Sequence, residues 1–189
     1  MRDLEIRGAG NLLGSEQSGH VAAVGFELYL ELLGEAVAEL TGARRAIARP
    51  VRVDAAVDAF VPAAYVEAEA QKIDLHRRLA LVEFEDELRE LHAAVEDRYG
   101  PPPEPVENLF TIQEAKLKLA RLGADYLVFR GGKATVGPLV LGSAELRGLQ
   151  ALRDTAVYSG ARSEVSQRTA ELKGALELVD AILDLRLVA

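Results

Sequence analysis

The run DYLVFRGGKATV, Asp125 to Val136, constrains this chain more than any other stretch. Two β-rich segments flank Gly131-Gly132, and paired glycines accept the positive φ that a tight hairpin turn demands. Downstream, GPLVLG (137–142) reads as an added strand and Ser143–Leu152 as a helix. AVYSGARSEVSQ (156–167) reads as one or two further short strands. Leu172, Ala175, Leu176, Val179, Ile182 and Leu183 recur at helical spacing and predict a closing amphipathic helix.

Upstream of the hairpin the periodicity is helical. It predicts helices over about Ala63–Leu81, Phe84–Arg98 and Pro105–Leu122. Gly100 stands where a helix C-terminal cap belongs, and the three prolines after it stop the helix and set the next connection. VRVDAAV (51–57) alternates weakly, as a strand does, and Arg44–Pro50 reads as a linker. Further back, Tyr29, Leu32, Leu33, Ala36, Val37 and Leu40 predict a helix between Val21 and Leu40. Glu27, Glu31, Glu35 and Glu39 form a row on it, either a solvated face or a docking stripe for a basic partner. The class is α+β: a glycine-rich loop and long helix, then a helical cluster packed on a small antiparallel sheet.

Composition narrows the functions. The 189 residues carry a net charge of −8, so the chain as a whole is not expected to hold DNA by charge. It has no cysteine, which excludes disulfide and thiolate chemistry and fits a reducing compartment, expected to be cytoplasmic. No apolar run approaches the roughly 20 residues that span a bilayer. His20, His76 and His92 do not pair at metal-ligand spacing, and Ser18 and Ser143 lack a nucleophile-elbow context. Glu85-Asp86-Glu87 reads as the acidic first turn of a helix, where the dipole favours carboxylates. No self-contained active site emerges.

The opening stretch RDLEIRGAGNLLGSEQSGH (Arg2–His20) is less ordinary. Its glycines invite comparison with nucleotide-binding loops. The spacing is wrong for G-x-G-x-x-G, and the lysine of a P-loop is missing. Leu4, Ile6, Leu12 and Leu13 are apolar, yet the glycines deny them a helix, so this segment reads as one whose packing partners lie upstream. Alone in this chain, it is expected to be poorly ordered or packed in a non-native way. Arg7 offers a rigid fork of donors, and Gln17 donates and accepts at once.

Together with VGFELYLELLGEAV (24–37), this stretch closely resembles the bacterial transcription-repair coupling factors. A looser version of the loop occurs in RecG-type helicases, and the continuation with Phe26 and Tyr29 favours the former. The similarity continues through LHRRLALVEFEDELRELHAAVEDRYGPPPEPVENL (75–109) and more weakly to the final helix. It divides the chain into the tail of a translocation motif (1–20), a connecting helix and linker (21–49) and a C-terminal regulatory domain (50–189).

The resemblance implies that Arg7 and Gln17, with Gly8, Gly10 and Gly14 between them, couple a motor to duplex DNA. That motor would be an ATP- and magnesium-dependent translocase. This chain carries no ATPase motif and is expected to need no cofactor and to perform no catalysis itself. The regulatory domain is implied to clasp the protein's own N-terminal repair-recruitment module. It would hide that module from UvrA until the motor lobe engages stalled RNA polymerase. The alternative is an accessory DNA-steering domain of a RecG-like helicase. The clasp motif Asp-Arg-aromatic-Gly matches Asp97, Arg98, Tyr99 and Gly100. The family commonly has a carboxylate three residues before the aspartate; here that position is Ala94, leaving Glu90 or Glu96 to compensate. Asp97 sits at the unfavourable end of the helix dipole. Its cation comes either from Arg98 or from an arginine of the partner module.

Overall fold

The computed structural model describes residues 51–187. The predicted helix over 21–40, the linker before 50 and the motor-coupling residues Arg7, Gly8, Gly10, Gly14 and Gln17 lie outside the described residues. So does the expectation about the order of the opening stretch.

The hairpin forms as the glycines require. β2 (Tyr126–Arg130) and β3 (Lys133–Gly137) pair antiparallel around Gly131 and Gly132, at φ 57° and 69°. β4 (Val157–Ser159) and β5 (Glu164–Arg168) extend the sheet through β5, which lies antiparallel to β3. On the other edge β1 (Arg52–Ala55) joins β2 in parallel, giving the order β1-β2-β3-β5-β4. The sheet is therefore mixed rather than purely antiparallel. A parallel neighbour needs a long crossover. Here helices α1 (Glu69–Leu81), α2 (Glu85–Tyr99) and α3 (Glu104–Leu122) supply it.

Two other expectations shift. Beyond Gly137, which ends β3, residues 138–142 form no strand: Pro138 has no N–H to give to a ladder. Leu139 and Leu141 instead turn into the core while Val140 faces solvent. The helix expected from Ala63 begins at Glu69. Residues before it form a turn in which the Tyr65 and Val66 N–H groups both donate to the Pro62 carbonyl, and Val66 is buried. Helices α4 (Ser143–Leu152) and α5 (Leu172–Leu187) appear where periodicity places them.

Burial separates two cores. In one, the inner sheet residues Leu127, Phe129, Ala134, Val136 and Val165 pack with α5 and the C-terminal half of α3. In the other, Leu75 and Leu79 of α1 meet Leu88, Leu91 and Val95 of α2, and Val106 and Phe110 of α3. Helix α3 thus serves both. An ion pair ties it to α5: the Lys118 ammonium, itself buried, lies 2.6 Å from the half-exposed carboxylates of Glu114 and Asp180.

Candidate functional site

Helix α2 is built for one-sided burial. Leu88, Leu91 and Val95 recur at three- and four-residue spacing and face the helical core. Its N-terminus is satisfied by Glu87, whose carboxylate accepts from the Glu83 and Phe84 N–H groups at 2.9 and 3.3 Å. The acidic triplet is thus a helix start. Its C-terminus ends at Gly100, φ 84°, where a Cβ would be strained, and the Gly100 N–H closes on the Glu96 carbonyl at 2.8 Å.

At this end the structure brings Asp97, Arg98, Tyr99 and Gly100 together but divides their work. Tyr99 and Gly100 hold the helix end. The Tyr65 hydroxyl donates to the Gly100 carbonyl at 2.7 Å, and the Tyr99 hydroxyl donates to Gln71 Oε1 at 3.1 Å. The two tyrosine rings lie 5.8 Å apart in a tilted arrangement. Burial, then the nearby carboxylates Glu107 and Glu96, push the Tyr65 hydroxyl above its usual pKa, so it stays a donor. Beyond it, His92 reaches Glu107 at 3.0 Å and stacks edge-on against Phe110, tying α2 to α3.

Asp97 and Arg98 face solvent. The Arg98 guanidinium sits 5.1 Å from the centre of the Tyr99 ring, a cation–π placement, and not on Asp97. Among the described residues Asp97 has no hydrogen-bond or ion-pair partner. The carboxylate is therefore exposed at the helix end, and none of the other described residues supplies it a cation.

The two candidate substitutes for a carboxylate at Ala94 lie on different sides. At about 100° per residue, Glu90 falls within about 20° of Asp97 around the helix, whereas Glu96 is turned about 100° away. Glu96 faces the Tyr65 side, where its charge acts on that hydroxyl. Glu90 and Ala94 line a shallow groove of about 490 Å³ against Leu81 and Val82 at the end of α1.

The sequence does not mark Tyr65 and Gln71 as parts of this site. They precede their partners by 35 and 28 residues, and no local pattern announces the contact.

One comparison with known proteins can be placed on this region. A family model described as the TRCF domain matches residues 55–137, which include the whole of α2 and the hairpin. A Mycobacterium bovis transcription-repair-coupling factor is 39% identical over 162 residues. The chain belongs to the transcription-repair-coupling factor family. The match to that relative covers 78% of this chain and 13% of the relative. The coupling factor of Bacillus subtilis is 42% identical over 118 residues, covering 62% of this chain and 10% of that protein. The chain thus spans only a small part of the coupling factors it matches. The fold is also that of a solved C-terminal domain of a transcription-repair coupling factor. That likeness has a TM-score of 0.62 at 18% identity and covers 74% of this chain and 95% of the solved one. These matches do not favour the RecG-like alternative.

Among the described residues of this coupling-factor domain, no group of three His, Asp or Glu side chains could hold a metal. No described helix is long and apolar enough to cross a membrane.

Proposed function

We propose that this coupling-factor domain is an interaction module that restrains the N-terminal repair-recruitment module of its own protein. The observation behind the reading is the unpartnered Asp97 carboxylate, held outward on a helix end pinned by Tyr65, Tyr99 and Gly100. A carboxylate at a helix C-terminus lacks the help of the dipole, so it gains most from an incoming cation. An arginine of the partner module supplies one, as a bidentate pair. The contact is charge-based and exposed at its edge, so a few kcal/mol of competing interactions suffice to open it.

In the parent protein the closed state masks the surface that recruits UvrA. Engagement of the ATP- and magnesium-dependent motor with duplex DNA and stalled RNA polymerase opens it. Arg7 and Gln17, with the glycine loop between them, belong to the motor's coupling apparatus in this reading, and the whole acts in the cytoplasm.

The test is a calorimetric titration of this chain with the parent protein's N-terminal module. Wild-type chain is expected to bind, and Asp97→Asn to weaken binding roughly tenfold or more. The thermal midpoint of the isolated chain should stay unchanged. No binding by the wild type, or equal binding by Asp97→Asn, would remove the reading.

A further inference from the structure

The sheet has a second face. Its inner residues belong to the core, but the alternate residues point away from it. In register these outer residues form three rows across the strands. The first is Arg130, Lys133 and Arg168. The second is Asp54, Val128, Thr135, Ser166 and Val157. The third includes Arg52, Tyr126 and Gly137. Val128 and Val157 belong to neither core, and Val157 is 63% exposed.

The first row is unusual in charge. Cross-strand neighbours of like sign destabilise a sheet, yet three cations stand side by side here, all exposed. Arg130 is neutralised by Asp54, which accepts from its guanidinium at 2.8 and 2.9 Å and also pairs with Arg52 at 3.2 Å. Among the described residues Lys133 and Arg168 have no carboxylate partner. Arg162, also exposed, lies close enough to Tyr126 to act on its hydroxyl. The other carboxylate of the face, Glu164, is engaged by that hydroxyl at 2.5 Å. Both carboxylates are thus already occupied, and positive charge is left over on one face of a chain whose net charge is −8.

The geometry points to a docking surface for an acidic helix on this outer face. Strand spacing sets the cations of the first row about 4.8 Å apart. Carboxylates at i and i+4 on a helix rise about 6 Å along its axis, a near match for side chains as long as lysine and arginine. The neighbouring row of Val128, Thr135, Ser166 and Val157 carries no free charge and accepts the apolar residues beside such carboxylates. A nucleic-acid backbone fits less well. It would pass over Asp54 and Glu164 as well as the cations, and it has no apolar side chains to set against Val128 and Val157. This surface is separate from the α2 end, and the inference stands whether or not that end clasps a partner.

The test is an amide chemical-shift titration of the full chain. The probe is a synthetic helical peptide with glutamate at every fourth position and leucine beside each. Shifts are expected at Lys133, Thr135, Ser166 and Arg168. The double variant K133E/R168E should weaken binding about tenfold, and K133Q/R168Q by less. Circular dichroism of both variants checks that the fold survives. Absent shifts, or shifts confined to another face, would overturn the inference. Tighter binding of a 20-base-pair duplex to the same residues would reassign the face to nucleic acid.

Discussion

Tyr126 reaches over a neighbouring strand to Glu164. The two residues sit on β2 and β5, and the 2.5 Å hydrogen bond between them crosses Gly137 of the intervening β3. A Cβ at Gly137 would lie 2.7 Å from the tyrosine oxygen and 2.9 Å from the ring carbon bearing it. The glycine serves as a pass, since its own backbone needs no positive φ. Gly137→Ala is therefore expected to push the ring aside and break the bond, at a cost of about 1–3 kcal/mol. Urea unfolding measures it. Unchanged stability would mean that the ring has another seat.

The same bond predicts a late titration. The hydrogen bond to Glu164, then burial, pushes the Tyr126 hydroxyl up to about 12 from its ordinary 10.0. The folded state thus holds this proton more tightly than the unfolded state. Its contribution is fully present below pH 10 and is lost as pH rises through about 12. Tyrosinate absorbance should show a late component that Tyr126→Phe removes. The variant's stability should also fall less steeply than the wild type's across that window.

Tyr65 should matter to the α2 end without touching any partner. Tyr65→Phe deletes the hydroxyl that fixes the Gly100 carbonyl, and about 1 kcal/mol of stability should go with it. Faster hydrogen exchange is expected at the last turn of α2. Exchange confined to other elements would show that the cap holds alone.

Lys118 tests the seam between α3 and α5. Burial lowers its pKa, but hydrogen bonds to Asp180 and Glu114 outweigh that and raise it above 10.5. A raised pKa on a cation stabilises the fold below the unfolded value and ceases to do so as pH climbs through the folded one. Lys118→Met leaves two half-exposed carboxylates facing each other and is expected to cost about 1–3 kcal/mol near neutral pH. The loss should shrink in alkali, where the wild type surrenders its own bridge.

What the sequence made legible was local. Gly131-Gly132 predicts a turn because the backbone there needs positive φ, and Leu172 to Leu183 predict a helix because their spacing makes a stripe. Gly100 is readable as a cap for the same reason. The direction of β1 is not local: it depends on a crossover of three helices, and four residues of weak alternation carry no sign of it. Tyr65 and Gln71 meet the α2 end only after the chain has folded back. The cation row needs the register of β5 against β3, which no spacing along the chain reveals. Of the candidate site, Asp97 to Gly100 was visible through family resemblance. The split between holding residues and outward residues was visible only in space.

Helix α3 has its first turns in one core and its last turns in the other. Neither core can then open fully while the other keeps this helix whole. Amide exchange in the sheet and in α1–α2 should therefore rise and fall together, as parts of one cooperative unit. A ligand that tightens the end of α2 would be registered as slower exchange in β2 and β3, with no change of shape between them.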